Sequence, residues 1–409
     1  MISGGFMSDA LKRVWPYILL HGFAVGSLFL YSFTQVDLNL TLSRISLMFA
    51  AQDFFQFIGY FNRPLSTGLY GGIMVLLFVS YGLVLHMAVR KKITAVHVWL
   101  FVGLTSIFLL FSYPAFSYDI YNYMFDARIV TEYAQNPYVH KALDYPDDPW
   151  INFMRWTHRT YPYGPLWLVV TVPLTFITLG RFLPALVLFK LLMAAAYIIS
   201  VWAIQKIQEK VSPEHVALSM AAFALNPLVV IESLVSSHND IVMMAIVLVA
   251  FLFLIEGRQV KSWMYFILSA LIKFATGILA PVFLWVWWNG SYRTNESHET
   301  NKRTMFKRIF LVSVILMICA VIAATIRTQF QPWYLLYVLP FAAFTFNKYY
   351  VAIPVIVISL AGLMQYVPFL YLGNWDTPVP DILNWIMIGG VGLSVIVVAG
   401  LFVLHKQRR

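Results

Sequence analysis

Long apolar runs constrain the fold of this chain more than any other feature of its sequence. Many of these runs approach the 20 or so residues that a helix needs to cross the hydrocarbon core of a bilayer. Only 11% of the residues are charged and 60% are hydrophobic, whereas roughly a quarter of the residues in soluble domains are charged. Because a chain in lipid must satisfy its own backbone polar groups, helices are the expected structure. The sequence therefore predicts an all-α polytopic membrane protein.

The lengths of the runs predict about ten full spans. We place these spans at 15–33, 68–89, 95–116, 182–205, 215–232, 240–256, 309–326, 332–346, 349–367 and 382–404. Two other apolar stretches do not fit a single crossing. Residues 163–179 are short and contain two prolines, and residues 263–288 have basic residues on both flanks. We predict re-entrant or juxtamembrane helices in both, with a break near Lys273 in the second.

The positions of the basic residues predict the orientation. The net charge of +10 follows the loops between apolar runs, which is typical of membrane topology and not of nucleic-acid binding. With a cytoplasmic N-terminus, 18 of the 28 Lys and Arg residues fall on the cytoplasmic side. We therefore predict a single transmembrane domain over 1–409 with both termini in the cytoplasm and an uncleaved first span. Residues 289–308 are predicted to form a basic cytoplasmic loop, and residues 117–180 a large extracytoplasmic loop with juxtamembrane helices.

The start of that outer loop concentrates groups that can do chemistry. Residues 117–161 hold six of the chain's 18 carboxylates. Asp119 follows the apolar run that ends at Phe116 by only three residues, and partial burial among aromatic rings raises a carboxyl pKa toward the range of a general base. The alternative for Asp119 is a helix cap. Asp126 and Arg128 either contact substrate or hold the loop together through ion pairs.

Other candidates lie in later outer turns. Tyr161 and Tyr163 offer stacking faces for a sugar ring or form an interfacial aromatic belt. His238, Asn239 and Asp240 suit hydrogen bonding to substrate or an ordinary helix start, and their spacing does not define a metal site.

Ionisable residues within apolar runs are also candidates, because burying a charge in the membrane is costly. Lys273 and Arg327 are interpreted as phosphate contacts, with snorkelling as the alternative for Arg327. Lys190 is a weaker candidate of the same kind. Trp333 and Tyr334 either belong to an aromatic belt or line a lipid groove.

Taken together, these motifs resemble the GT-C superfamily of polyprenyl-phosphate-sugar-dependent glycosyltransferases, and most closely its bacterial mannosyltransferase-like branch. The resemblance covers about residues 95–345. Its motifs are Tyr118-Asp119-Ile120-Tyr121, Ala127-Arg128, Asn136-Pro137-Tyr138, Tyr161-Pro162-Tyr163-Gly164-Pro165-Leu166, Asn226-Pro227-Leu228, His238-Asn239-Asp240, Ile272-Lys273 and Pro332-Trp333-Tyr334-Leu335.

The resemblance implies a GT-C-like helical bundle at the cell membrane with its active site outside the cytoplasm. It implies that Asp119 is the catalytic base. The predicted substrate contacts are Tyr121, Asp126, Arg128, Tyr161, Tyr163, His238, Asn239, Asp240, Lys273, Arg327, Trp333 and Tyr334. No cofactor is predicted, although a divalent metal stays an open alternative. The family typically has an acidic pair in this loop, and here Asp126 follows Asp119 by seven residues.

The function implied is inverting transfer of a hexose, mannose above others, from a polyprenyl-phosphate sugar to a lipid-linked or envelope glycan. Membrane lipids are further expected partners, and nucleic acid is not. Two other classes of protein remain open. A transporter or lipid flippase is also polytopic, but such proteins typically show paired repeats, which this sequence lacks. An accessory subunit would use its outer loop to bind a partner.

Overall fold

The computed structural model describes residues 4–42, 45–288 and 299–407. Within these residues the secondary structure is helical, apart from turns and one isolated antiparallel bridge between Lys141 and Thr160. The α-helices are α1 (Gly4–Ser32), α2 (Ser46–Gln56), α3 (Arg63–Val89), α4 (Ala95–Leu110), α5 (Asp119–Thr131), α6 (Pro165–Ile177), α7 (Phe182–Val211), α8 (Val216–Ala224), α9 (Pro227–Val230), α10 (Asp240–Ile255), α11 (Gln259–Ile272), α12 (Ala280–Trp288), α13 (Glu299–Thr328), α14 (Leu339–Ala343), α15 (Tyr349–Met364), α16 (Val367–Leu372) and α17 (Val379–Gln407).

Short helical segments of other types connect them. The 3₁₀ segments are Phe33–Gln35, Ala142–Asp144, Pro149–Phe153, Pro213–His215, Phe274–Leu279 and Pro332–Tyr337, and the π-helical turns are Phe57–Phe61 and Ile231–Val235.

The described residues contain fewer full-length spans than the sequence predicted. Six helices are long and apolar enough to cross a membrane, at Arg13–Gln35, Arg63–Val89, Phe182–Val211, Arg303–Thr328, Tyr349–Leu372 and Val379–Gln407. A bent pair, Pro213–Ala224 with Pro227–Val235, gives a seventh if it counts as one span. The polytopic helical class is confirmed, whereas the number of about ten spans is not.

Backbone chemistry accounts for two of the differences. The predicted span at 332–346 is a 3₁₀ segment followed by the five-residue helix α14, and Pro332 and Pro340 both lack an N–H for a helical ladder. The predicted span at 95–116 ends early, at Leu110, a few residues before Pro114, which disfavours helical geometry in the residue before it. The predicted span at 240–256 is also short, since α10 has 16 residues.

The break predicted near Lys273 is present. Helix α11 ends at Ile272, Lys273 is extended with φ −155° and ψ 128°, and a 3₁₀ segment follows. Of the predicted basic loop at 289–308, residues 289–298 lie outside the described residues.

The segment from α8 to α10 forms the centre of the molecule. Every residue from Leu218 to Ala245 is buried, including the polar turn 236–239 that joins the π-helical turn to α10. Helix α10 packs against α7 and α11, and α5 packs against α6. A helix that is apolar on all sides is expected at such a central position. A fully buried polar turn, in contrast, needs polar partners, and these partners identify the candidate site.

Candidate active site

Asp119 lies at the N-terminal end of α5 and faces the buried polar turn. Its side chain is 13% exposed, and its Oδ2 atom lies 3.5 Å from Nδ1 of His238. Its other oxygen, Oδ1, accepts a hydrogen bond of 3.2 Å from the indole N–H of Trp156. The cap position belongs to Tyr118, so the carboxylate contacts a histidine and an indole instead of capping its own helix.

His238 connects Asp119 to a second buried carboxylate. Its Nε2 atom lies 3.3 Å from Oε2 of Glu232, and both side chains are fully buried. The other Glu232 oxygen accepts a hydrogen bond of 2.7 Å from the hydroxyl of Tyr366. The His238 ring stacks on Trp333, with 4.1 Å between ring centroids. Both ring nitrogens therefore face carboxylates, an arrangement that favours the doubly protonated imidazolium.

The charges of this cluster set the protonation states of its members. Burial opposes the charge on His238, but Asp119 and Glu232 outweigh burial and raise the pKa of His238 to about 9. Burial also opposes ionisation of Asp119, yet His238, the charge of Lys273 and the N–H of Trp156 hold the pKa of Asp119 below its usual range. The raised pKa expected for Asp119 from the sequence is therefore wrong, because its partners outweigh burial. Asp119 is a carboxylate at neutral pH and can accept a proton.

A second ion pair lies beside this one. Lys273 donates a hydrogen bond of 2.7 Å from Nζ to Oδ1 of Asp240, which is fully buried, while the Lys273 side chain is 23% exposed. The ammonium group lies within about 6 Å of three tyrosine rings, those of Tyr163, Tyr334 and Tyr337. The helix break frees Lys273 from the ladder of α11. A partly exposed cation with an aromatic surround is suited to an anionic group such as a phosphate.

Aromatic side chains join the two ion pairs. The Tyr123 hydroxyl lies 3.4 Å from Oδ1 of Asn239, and its ring packs edge-on against Tyr163 and Trp167 at 5.2 and 5.3 Å between centroids. Asn239 is the N-cap residue of α10. Tyr123 on α5 therefore fixes the polar turn relative to the first outer loop.

Gly164 brings the Tyr161–Tyr163 segment against the end of α11. Its N–H donates to the carbonyl of Ile272 at 3.0 Å, and a Cβ at this position would lie 2.1 Å from the carbonyl oxygen of Leu271. Only glycine permits this approach of two backbones. Tyr163 is placed beside Lys273 as a result.

The substitution Gly164→Ala is expected to separate these backbones and to destabilise the protein by about 1–3 kcal/mol, the usual cost of overpacking. Thermal unfolding of the purified protein measures the loss. Gly277→Ala is the matched control, because a Cβ there meets nothing within 4 Å. Equal unfolding temperatures for the two variants would contradict the close approach.

Asp126 follows Asp119 by seven residues on α5, so the two side chains share a helix face. Burial, together with the negative charge of Asp119, raises the pKa of Asp126 to about 8. The two carboxyl groups therefore differ in protonation at neutral pH, with Asp119 ionised and Asp126 protonated. Such divergence is typical of sites with acid or base function.

The raised pKa of Asp126 makes stability depend on pH. An unperturbed aspartate ionises near 3.8, so the native state binds more protons than the unfolded chain between that pH and about 8, and stability falls as the pH rises through this interval. We expect the unfolding temperature of the wild type to fall between pH 5 and pH 8 by a few degrees more than that of Asp126→Asn, at about 2–4 °C per kcal/mol. The exposed Asp147, as Asp147→Asn, is the control. A parallel fall in all three proteins would contradict the protonated state of Asp126.

Asp119, His238, Glu232, Asp240 and Lys273, with the aromatic residues that contact them, form one cluster. The structure does not bring every predicted contact to this cluster. Arg128 forms a hydrogen bond of 2.6 Å with Asp148 and lies over the ring of Trp150, so it holds the loop together. Tyr121 is buried and stacks on Phe182.

Three other candidates also lie outside this cluster. Tyr161 donates to the carbonyl of Gly164 at 2.8 Å. Lys190 donates to the hydroxyl of Ser112 and the carbonyl of Leu234, and Arg327 is exposed at the end of α13.

Three residues of the cluster were not among the sequence candidates. Glu232 is an acidic residue inside the apolar stretch 227–235, and the rule that singled out Lys273 applies equally to it. Tyr366 and Trp156 carry no such signal, because their roles depend on distant parts of the chain meeting at Glu232 and Asp119.

Asp119, Asp240 and Glu232 each have partners within the protein. Asp119 faces His238 and Trp156, Asp240 faces Lys273, and Glu232 faces His238 and Tyr366. Each carboxylate is thus directed at a cation or an N–H or O–H donor. Within the described ranges, no three His, Cys, Asp or Glu side chains are arranged to hold a metal ion.

Comparison with known proteins shows the family of this chain. A family model described as "Alpha-(1->6)-mannopyranosyltransferase, N-terminal domain" matches residues 40–289, which is more than half of the chain. The chain belongs to this family. The match confirms the mannosyltransferase-like branch of GT-C that the motifs indicated, and it contains Asp119, Glu232, His238, Asp240 and Lys273.

Two curated relatives are alpha-(1->6)-mannopyranosyltransferases A. The protein of Mycobacterium tuberculosis is 27% identical over 180 residues, which cover 44% of this chain and 34% of the relative. The protein of Corynebacterium glutamicum is 24% identical over 179 residues, which cover 44% of this chain and 36% of the relative. The chain thus matches about a third of the length of these relatives. No solved structure matches the chain.

Proposed function

We propose that this protein is an inverting glycosyltransferase that moves mannose from a polyprenyl-phosphate donor to a lipid-linked or cell-envelope glycan on the extracytoplasmic face of the membrane. The observation that carries the proposal is the placement of an ionised carboxylate, Asp119, close enough to a partly exposed cation, Lys273, for the charge of Lys273 to lower the pKa of Asp119, while Lys273 itself pairs with Asp240. Membership of a family described as alpha-(1->6)-mannopyranosyltransferases supports the choice of reaction.

In the proposed reaction, an acceptor hydroxyl oxygen attacks the anomeric carbon of the mannosyl phosphate. The bond between that carbon and the phosphate oxygen breaks, and the phosphate keeps the electron pair. The hydroxyl proton moves to Asp119, which acts as general base. Because the attack comes from the face opposite the leaving group, the configuration inverts. An α-linked product then requires a β-linked donor.

Lys273 and His238 support the departure of the phosphate and the proton transfer to Asp119. Lys273 stabilises the charge that develops on the leaving phosphate, and such electrostatic contributions are often the largest in catalysis. Since a polyprenyl phosphate leaves as a stable anion, no strong general acid is needed. His238 is a positioning residue: held between Asp119 and Glu232 and stacked on Trp333, it fixes the carboxylate and keeps it ionised.

A reconstituted transfer assay tests the proposal. Purified protein in lipid nanodiscs receives polyprenyl-phosphate mannose with a radiolabelled sugar and an alkyl mannoside acceptor. We expect a labelled disaccharide whose new linkage has the configuration opposite to that of the donor. Movement of the labelled lipid across a vesicle bilayer without any covalent product would favour a transporter or flippase and would overturn the proposal.

A further inference from the structure

Trp156 occupies a position beside Asp119 that an interfacial belt does not account for. Its indole N–H donates to Oδ1 of Asp119 at 3.2 Å, yet the residue is 42% exposed. Belt tryptophans place their polar edge toward water and lipid headgroups. Here the indole N–H is bound to a carboxylate whose side chain is only 13% exposed, so the polar edge is not directed at water. The ring lies at the boundary between the base and the solvent.

Contacts on several sides hold this tryptophan in place. The Asn122 side chain donates to the carbonyl of Trp156 at 3.4 Å, and Leu143 donates to the next carbonyl, that of Thr157, at 3.2 Å. The guanidinium of Arg159 lies 4.3 Å from the centroid of the Trp156 ring, within the range of a cation–π interaction. An exposed aromatic ring that is fixed in this way loses little conformational entropy when a ligand binds to it.

The two oxygens of Asp119 face different neighbours. Oδ2 faces His238 at 3.5 Å and Oδ1 faces Trp156. Lys273 is the cation suited to the donor phosphate. It pairs with Asp240, which follows His238 by two residues, and we therefore assign the donor to the His238 side of Asp119. The Trp156 side of the carboxylate is therefore the one left for the second substrate.

We propose that Trp156 is the acceptor platform of this enzyme, on which the terminal hexopyranose of a glycan stacks. A pyranose ring carries C–H groups on its faces and hydroxyl groups around its rim, so stacking on the indole buries the apolar face and leaves a rim hydroxyl free to reach Asp119. This inference rests on the proposed function for the identity of the base, and it adds the chemical class and the position of the acceptor.

Steady-state kinetics with two substitutions test the platform. Trp156→Leu keeps an apolar side chain but removes the flat ring, and Trp156→Phe keeps a ring but removes the N–H. With octyl α-mannoside as acceptor and saturating polyprenyl-phosphate mannose, we expect Trp156→Leu to raise the acceptor KM about tenfold, a loss of the size that aromatic stacking supplies. The donor KM stays unchanged. Trp156→Phe keeps the acceptor KM within about threefold of the wild type and lowers kcat, because Asp119 loses its hydrogen bond.

A control variant and a binding measurement distinguish failure of the acceptor platform from failure of the proposed function. Trp385→Ala alters a tryptophan that is 71% exposed on α17, and its kinetics should equal those of the wild type. Calorimetric titration of octyl α-mannoside into Asp119→Asn, and into Asp119→Asn combined with Trp156→Leu, measures binding without turnover. We expect the double variant to bind the mannoside about tenfold more weakly than Asp119→Asn alone.

An unchanged acceptor KM in Trp156→Leu, or equal binding by both titrated proteins, would overturn the platform. Absence of transfer by the wild type would instead overturn the proposed function, and the titration would still decide whether Trp156 binds a mannoside.

Discussion

The substitution Asp119→Asn is expected to lower the rate of mannosyl transfer by about 10²- to 10⁴-fold, the range that a positioned general base contributes. Asparagine keeps the size of the side chain and an oxygen that can accept the N–H of Trp156, so the local structure should persist. It cannot take the proton from the acceptor hydroxyl. Initial rates with the polyprenyl-phosphate donor and a mannoside acceptor measure the loss.

A matched control distinguishes the chemistry from the general acidity of the outer loop. Asp147 lies in the same loop and is exposed, so Asp147→Asn should transfer at the rate of the wild type. Size-exclusion profiles in detergent should be the same for all three proteins. Retention of more than about a tenth of wild-type transfer by a well-folded Asp119→Asn protein is incompatible with a general base at this position.

The second large effect is expected at Lys273. Removal of a preorganised cation from a site of developing charge typically costs about 10²- to 10³-fold in rate, and we expect a loss of this size for Lys273→Met. The donor KM should also rise, because the phosphate loses its counter-charge. The single substitution leaves the buried carboxylate of Asp240 unpaired, which by itself destabilises a protein by about 3–5 kcal/mol.

A double variant separates the two roles of this lysine. Lys273→Met combined with Asp240→Asn removes both charges and should restore much of the thermal stability lost in the single variant. Transfer should stay low, since no cation remains to contact the phosphate. Recovery of wild-type transfer together with stability would show instead that Lys273 acts only as the counter-ion of Asp240.

Much of the fold follows from the sequence, because the physics of the bilayer acts locally. Apolar runs indicated the long helices, and the isolated cation Lys273 indicated the break after α11. The number of full spans was not predictable in the same way. An apolar segment such as 332–346 is buried by packing around it, so its hydropathy does not distinguish a span from a short internal helix.

The candidate site was likewise predictable only in part. Asp119 and His238 were identified from their positions near the ends of apolar runs, and Lys273 was identified as an ionisable residue within one. Their pairing was not, because it depends on helices far apart in sequence meeting at the buried turn 236–239. Glu232 is the clearest case: its partner Tyr366 lies 134 positions further along the chain, and no spacing rule connects them.

A structure of the Asp119→Asn protein with polyprenyl-phosphate mannose bound tests the roles of Asp119 and Lys273 most directly. We expect a phosphate oxygen within about 3 Å of Nζ of Lys273, the distance of a charge-assisted hydrogen bond. The anomeric carbon should lie near position 119, with room of about 3–3.5 Å for an attacking hydroxyl between them. A donor bound with its phosphate away from Lys273 and its sugar away from position 119 would contradict the roles assigned to these two residues.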